Sequence, residues 1–146
     1  MAETLGSLCD KLTIVKLKQY HSDDAVKQAS LARQEDQLIN EIDVYLDDVV
    51  KQKIPAERLV FEANKVYKKQ AEETAFIQGK IGEVFARLAN VNCTLWHEQE
   101  KVYEFEKVLP GDKDKVIKNL AVLNLDRTRC IDKINELFKK LVAPTQ

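Results

Sequence analysis

From residue 4 to residue 21, Leu5, Leu8, Leu12 and Val15 recur at helical spacing, and Cys9, Leu17 and Tyr20 widen the same stripe. A period of three and four predicts an amphipathic helix. The helix runs out at His21-Ser22-Asp23-Asp24, where Ser22 is placed to cap the next one and the two aspartates suit the positive end of its dipole. Residues 24–52 then carry Leu31, Leu38, Ile42, Tyr45 and Val49 on one side and Asn40, Asp43 and Asp47 on the other, a second amphipathic helix. From Lys53 to Gln70 the apolar residues Leu59, Val60, Phe61, Val66 and Tyr67 follow no single period, and Pro55 can start only a short turn. This stretch reads as a packed connection. A third helix is predicted over 72–107 from Ile77, Ile81, Val84, Leu88, Leu95 and Val102, before the breaker Leu109-Pro110-Gly111-Asp112. A fourth, over 113–142, uses Ile117, Leu120, Ile131, Ile134, Phe138 and Leu141 and stops before Pro144.

The first and second helices, like the third and fourth, are joined by short connections, which predicts two antiparallel hairpins that bury their stripes against each other. The expected fold is an all-α, antiparallel four-helix bundle in a single domain over residues 1–146. The first helix is much shorter than the third, so apolar residues of 54–67 are expected to fill the gap along the longer helices. Composition agrees: among 146 residues there are 4 Gly and 3 Pro, with 45% hydrophobic and 32% charged side chains, which excludes a disordered chain and disfavours a turn-rich β fold.

Lys and Arg number 23 against 24 Asp and Glu, a net charge of −1, so no global field draws the chain to nucleic acid or to an anionic membrane. Neither a signal-peptide pattern nor eighteen uninterrupted apolar residues is present. The expectation is a cytoplasmic protein without membrane insertion. Cys9, Cys93 and Cys130 cannot all pair internally and lie in no CxxC or CxxH spacing, which suits reduced thiols. By helical phase Cys9 falls inward, Cys130 at a stripe edge and Cys93 outward.

Polar residues that interrupt the apolar stripes carry the chemical information, because a buried polar group costs stability unless paired. Asn92 and Gln99 sit with Leu88, Leu95 and Val102, and Asn124 and Arg127 with Leu120 and Ile131. Counted outward from the Pro110 turn, the four come level and can meet. Glu35 lies on the core stripe of the second helix and Lys16 in the apolar sector of the first, either joining that cluster or forming a separate ionic layer. The cluster is then a buried network that fixes helix register, with Arg127 neutralised by Glu35 or another carboxylate. The competing reading is a pocket in which Arg127 grips a carboxylate or phosphate bidentately. No general acid–base pair of defined spacing accompanies these residues, so an enzyme is the weaker expectation.

Other patterns are poorer. Cys93, His97 and Glu100 share a helix face that could touch a metal, but the face looks outward and no metal is expected. Trp96 sits at the edge of an apolar face. Lys65, Lys68 and Lys69 around Tyr67 lack the glycine-rich loop of a phosphate site, and no cofactor is expected. His21 reads as a helix-end residue.

Three segments resemble an uncharacterised bacterial family of small all-helical proteins. They are Gly6-Ser7-Leu8-Cys9-Asp10-Lys11-Leu12-Thr13-Ile14-Val15 with Tyr20-His21; Asn92 with Leu95-Trp96-His97-Glu98-Gln99-Glu100; and Leu123-Asn124-Leu125-Asp126-Arg127 with Ile131-Asp132-Lys133-Ile134-Asn135. They are similar to the patterns G-x-L-I-D-K-L-S-I, N-x-x-L-W-H and L-N-x-x-R-x-x-x-I-x-x-I-D, with Cys9 in place of an aliphatic residue and Asn135 in place of the final Asp. Residues 25–75 carry no such likeness. The resemblance marks Asp10, Lys11, Asn92, Trp96, His97, Asn124 and Arg127, and implies a setting near glycosyltransferases of cell-envelope sugar assembly. The expected function is a non-enzymatic helical interaction or accessory protein, its partner another protein or a second copy of the chain. The alternative is a protein that binds a small anionic or sugar-like ligand, or acts on it, through the polar cluster.

Overall fold

Thr4 starts the first helix: its hydroxyl accepts the Ser7 N–H at 3.3 Å while Ser7 Oγ accepts the Thr4 N–H at 2.8 Å, a reciprocal cap. In the computed structural model, which describes residues 3–61 and 77–142, α1 then runs Leu5–His21. α2 spans Ala25–Val50 and is capped by Asp24 rather than Ser22. Asp24 Oδ1 accepts the N–H groups of Val26 (2.8 Å) and Lys27 (3.1 Å). A carboxylate both pairs the free donors and opposes the positive end of the helix dipole, which a serine hydroxyl does only in part.

After Pro55 the chain makes one 3₁₀ turn, Ala56–Arg58, and buries Leu59 in the core beside Ile77. Leu59 and Ile54 thus fill the space as expected, while Val66 and Tyr67 lie outside the described residues. α3 spans Ile81–Tyr103, a later start than the spacing predicts. Gly79 holds a φ of +121°, a conformation L side chains avoid, and the helix begins only after it, with Glu83 Oε1 accepting the Lys80 N–H. A 3₁₀ turn at Phe105–Lys107 replaces the expected end of that helix. α4 spans Pro110–Val142, so the expected breaker is a helix start. Proline fits the first turn of a helix, where its missing N–H has no partner to lose.

The expected all-α bundle of two hairpins forms, and the first hairpin meets the second chiefly through α1. α3 and α4 pack along each other, α1 touches all three other helices, and α2 leans chiefly on α1. Leu8, Val84, Leu88, Cys130 and Ile134 make the centre, joined by Tyr45 and Val49 from α2. Tyr45 meets Phe138 with ring centroids 6.3 Å apart. The expected stripes err at their ends: Tyr20, Ile117 and Leu141 are exposed, while Cys130, expected at an edge, is fully buried. On α4 the inward face passes through Val116, Cys130, Ile134 and Phe138. No helix among the described residues is long and apolar enough to cross a membrane.

Candidate functional site: a carboxylate clamped at the centre of the bundle

α1 is buried on more than one side because it has three neighbours, and its second buried side carries a charge. Asp10 is 5% exposed. Arg127 on α4 grips it with both nitrogens of one edge, Nε donating to Oδ1 at 2.8 Å and Nη2 to Oδ2 at 2.6 Å. Asn92 on α3 donates its Nδ2 to Oδ1 at 3.0 Å. One carboxylate therefore joins three helices. The hydrogen bonds to Asp10 raise the pKa of the Arg127 guanidinium further, against the opposing effect of its burial. The fork geometry is the one in which arginine and carboxylate interact most strongly.

A second polar contact lies further along α1, towards its N-terminus. The Gly6 N–H donates to Asn135 Oδ1 at 2.7 Å, and a Cβ on Gly6 would stand 2.5 Å from the Ile131 carbonyl oxygen. Only the missing side chain lets α1 approach α4 so closely. Asn92 Oδ1 and Asn135 Nδ2 are buried without a partner among the described residues. Each such atom costs stability, so these amides earn their place through geometry rather than through energy alone.

Of the four residues expected to meet, two do. Asn92 and Arg127 come together, not on each other but on Asp10. Gln99 is exposed. It shares the face of Asn92, but lies a turn beyond Trp96, against which His21 at the end of α1 already stands, so no described helix covers it. Asn124 is also exposed and turns back on its own helix, donating to the Leu120 carbonyl at 3.0 Å. The ionic layer is separate: Lys16 Nζ lies 3.0 Å from Glu35 Oε1, and Gln19 donates to Glu35 Oε2 at 2.7 Å. These contacts, first that of Gln19 and then that of Lys16, lower the Glu35 pKa. Lys11 points outward and pairs with Glu3.

Trp96 is half-buried and stacks on His21, with centroids 4.6 Å apart and planes at 19°. His97 stands edge-on to His21 and 3.9 Å from Glu100. No group of three His, Cys, Asp or Glu side chains among the described residues is arranged to hold a metal. Cys93 is exposed; burial pushes the Cys9 thiol up to about 11, with the neighbouring Asp10 charge adding to it, so Cys9 is a poor nucleophile. Lys65, Tyr67, Lys68 and Lys69 lie outside the described residues.

Periodicity missed Asp10, Asn135 and the His21–Trp96 stack. Asp10 was marked only by resemblance, because a single-stripe reading of α1 leaves it outside the apolar sector. Gly6, placed inside a helix where glycine is costly, was the available sign of a close helix approach. Chemically the centre is a clamp: both Asp10 oxygens are occupied and two guanidinium nitrogens face them, which leaves no free base. Compared with family models, curated proteins and solved structures, the chain matches none of them.

Proposed function

We propose that the chain is a non-enzymatic helical interaction or accessory protein, acting in the cytoplasm in the bacterial envelope-assembly setting that its resemblance implies. The observation that carries the reading is the contrast between a polar centre closed on itself and an open groove beside it. The Asp10–Arg127–Asn92 contacts serve the fold, whereas a groove of about 760 Å³ lies open along α1 and α2 among the described residues. Size-exclusion chromatography with light scattering, and native mass spectrometry of the chain purified from its own cells, test this. A stable complex with another protein or a second copy is expected; a strict monomer overturns the reading.

One observation favours the alternative, a small anionic ligand. The Arg127 side chain is 34% exposed and reaches the groove wall. An incoming anion would compete with Asp10 for the guanidinium, so it would bind weakly unless the clamp opened. Titration with inorganic phosphate, monitored by calorimetry, decides: saturable heat lost in Arg127→Met supports this second reading, and no heat removes it.

A further inference from the structure

The chain has two histidines and one tryptophan, and the fold brings all three to one corner of the bundle. His21, the last residue of α1, lies flat against Trp96 of α3, with ring centroids 4.6 Å apart and planes at 19°. His97, next along α3, stands edge-on to His21 at 6.3 Å. Imidazole is the side chain whose ordinary charge change falls between about pH 5 and 8. Side chains of that kind therefore sit where the end of α1 meets α3, and nowhere else in the sequence.

A hydrogen bond decides which proton moves. His21 Nδ1 lies 2.9 Å from the Leu17 carbonyl oxygen, which can only accept, so Nδ1 keeps its hydrogen and Nε2 gains or loses one. The ring is thus held against Trp96 in both states, and only its charge changes. A cation over the face of an indole is attracted by the ring quadrupole, an attraction that neutral imidazole does not add. His21 also closes α1, at the negative end of the helix dipole, where a positive charge is favoured. Of the charged groups that line the same recess, Lys18 on α1 and Lys27 on α2 oppose protonation, while Asp23 and Asp24 in the turn support it. Tyr20 adds an aromatic edge at 5.1 Å rather than a charge. On α3 a protonated His97 would oppose it, but His97 stands 3.9 Å from Glu100, which offsets that charge. What holds His21 also holds the start of α2, because Gln28 donates to the Gln19 and Ser22 carbonyls at 2.7 and 2.6 Å and α2 leans chiefly on α1.

We propose that His21 on Trp96 is a pH-dependent latch, tightened by protonation at Nε2, which fastens the turn end of the α1–α2 hairpin to α3 in mild acid and loosens it as the pH rises. The latch goes beyond the interaction reading above and does not depend on it. The Asp10 and Gly6 contacts hold the other half of α1 without a histidine, so loosening frees the turn and the first turns of α2 while the bundle stays folded.

Because Trp96 is the one tryptophan, the emission of the full chain reads the latch directly. An imidazolium in contact with indole quenches it more than neutral imidazole does, so emission should fall as the pH is lowered from about 8 to about 5. Over the same range amide exchange across 19–27, corrected for the chemical exchange rate, should slow by about two- to fivefold, the effect of one exposed cation–π contact. His21→Phe keeps a stacked ring without the charge and should abolish both responses, whereas His97→Asn should keep both. Trp96→Leu should abolish the exchange response; its survival there would assign the effect to the helix dipole and the turn aspartates and overturn the latch. Emission that does not change with pH overturns it too, as does a quench without slower exchange, or exchange that quickens in mild acid. Responses lost in His97→Asn but kept in His21→Phe would place them in the His97–Glu100 pair of a single helix, which joins nothing, and would equally overturn the latch.

Discussion

The two sides of α1 hold their neighbours by different means. Towards α3 and α4 the helix is bound by Asp10 to Arg127 and Asn92 and by Gly6 to Asn135, contacts of low exposure over backbones that nearly touch. Towards α2 the charged contact is Lys16 to Glu35, with side chains 57% and 25% exposed, aided by Gln28 donating to the Gln19 and Ser22 carbonyls at the turn. Buried ion pairs cost dearly when broken, because the partner left behind has no water; exposed pairs are screened and worth little. The inner side therefore defines the fold, and the outer side sets how firmly α2 lies on it.

Asp10→Ala attacks the inner side most directly, leaving the Arg127 guanidinium and the Asn92 amide without their acceptor. The expected loss is about 3–5 kcal/mol, a large part of the roughly 5–15 kcal/mol that holds a domain folded. Urea unfolding should show the midpoint falling with little change in slope. Arg127→Ala strands the Asp10 carboxylate, which is 5% exposed and keeps only the Asn92 amide, so its cost should match or exceed that of Asp10→Ala, about 3–5 kcal/mol. The double variant should cost less than the two added together, by about 0.5–3 kcal/mol. Arg127→Met keeps most of the volume and separates packing from charge. A loss below about 1 kcal/mol for Asp10→Ala would abolish the distinction between the two sides.

Gly6→Ala tests the same side through shape. The new methyl would meet the Ile131 carbonyl oxygen and Asn135 Oδ1, forcing α1 and α4 apart at an expected cost of about 1–3 kcal/mol. Gly82 in the first turn of α3 has nothing within 4 Å of its would-be Cβ, so Gly82→Ala should stabilise the chain, by about 0.4–1 kcal/mol. Opposite signs in thermal unfolding for one chemical change would sharpen the comparison; equal signs would break it.

What the sequence displayed follows the same division. The α2 stripe of Leu31, Leu38, Ile42, Tyr45 and Val49 was legible because a helix that leans chiefly on one neighbour buries one face, and these residues are buried or half-buried. α1 was legible only in part: with three neighbours its buried arc is wide, and Asp10 lies inside it, outside the single stripe that periodicity reveals. Arg127 and Asn92 were visible as polar interruptions of apolar faces. Their common partner was not, since nothing local places residue 10 against residues 92 and 127. Gln99 failed for a different reason: a face is buried only as far as a neighbour extends.

On the outer side, Asp24→Ala removes the acceptor from the Val26 and Lys27 N–H groups and should cost about 1 kcal/mol. The effect should be local, with amides of the first turns of α2 exchanging faster while those at the centre of α4 keep their protection. Uniform acceleration across α1, α2 and α4 would mean that the two sides open together.

Glu35→Gln is expected to have the smallest effect, and it tests the comparison most finely. The Gln19 hydrogen bond and the Lys16 charge lower the Glu35 pKa below its ordinary value of 4.5, so the stabilisation they give is present above that value and fades as the pH falls through the folded one. Wild-type protein taken into that acid range should therefore show the same loosening of α2 as Glu35→Gln does at neutral pH, read as lower amide protection over 28–38. Cys9, beside Asp10, reports the other side of the same helix. Burial raises its pKa to about 11, above the ordinary 9.0, so its contribution to stability is complete below about 9 and lost as the pH rises through 11. Near neutral pH the exposed Cys93 should react with a thiol reagent at once, and Cys9 and Cys130 only when the inner side opens. Glu35→Gln should leave that slow phase unchanged while α2 exchange quickens; a faster Cys9 reaction would show that Lys16 and Glu35 help to hold the inner side as well.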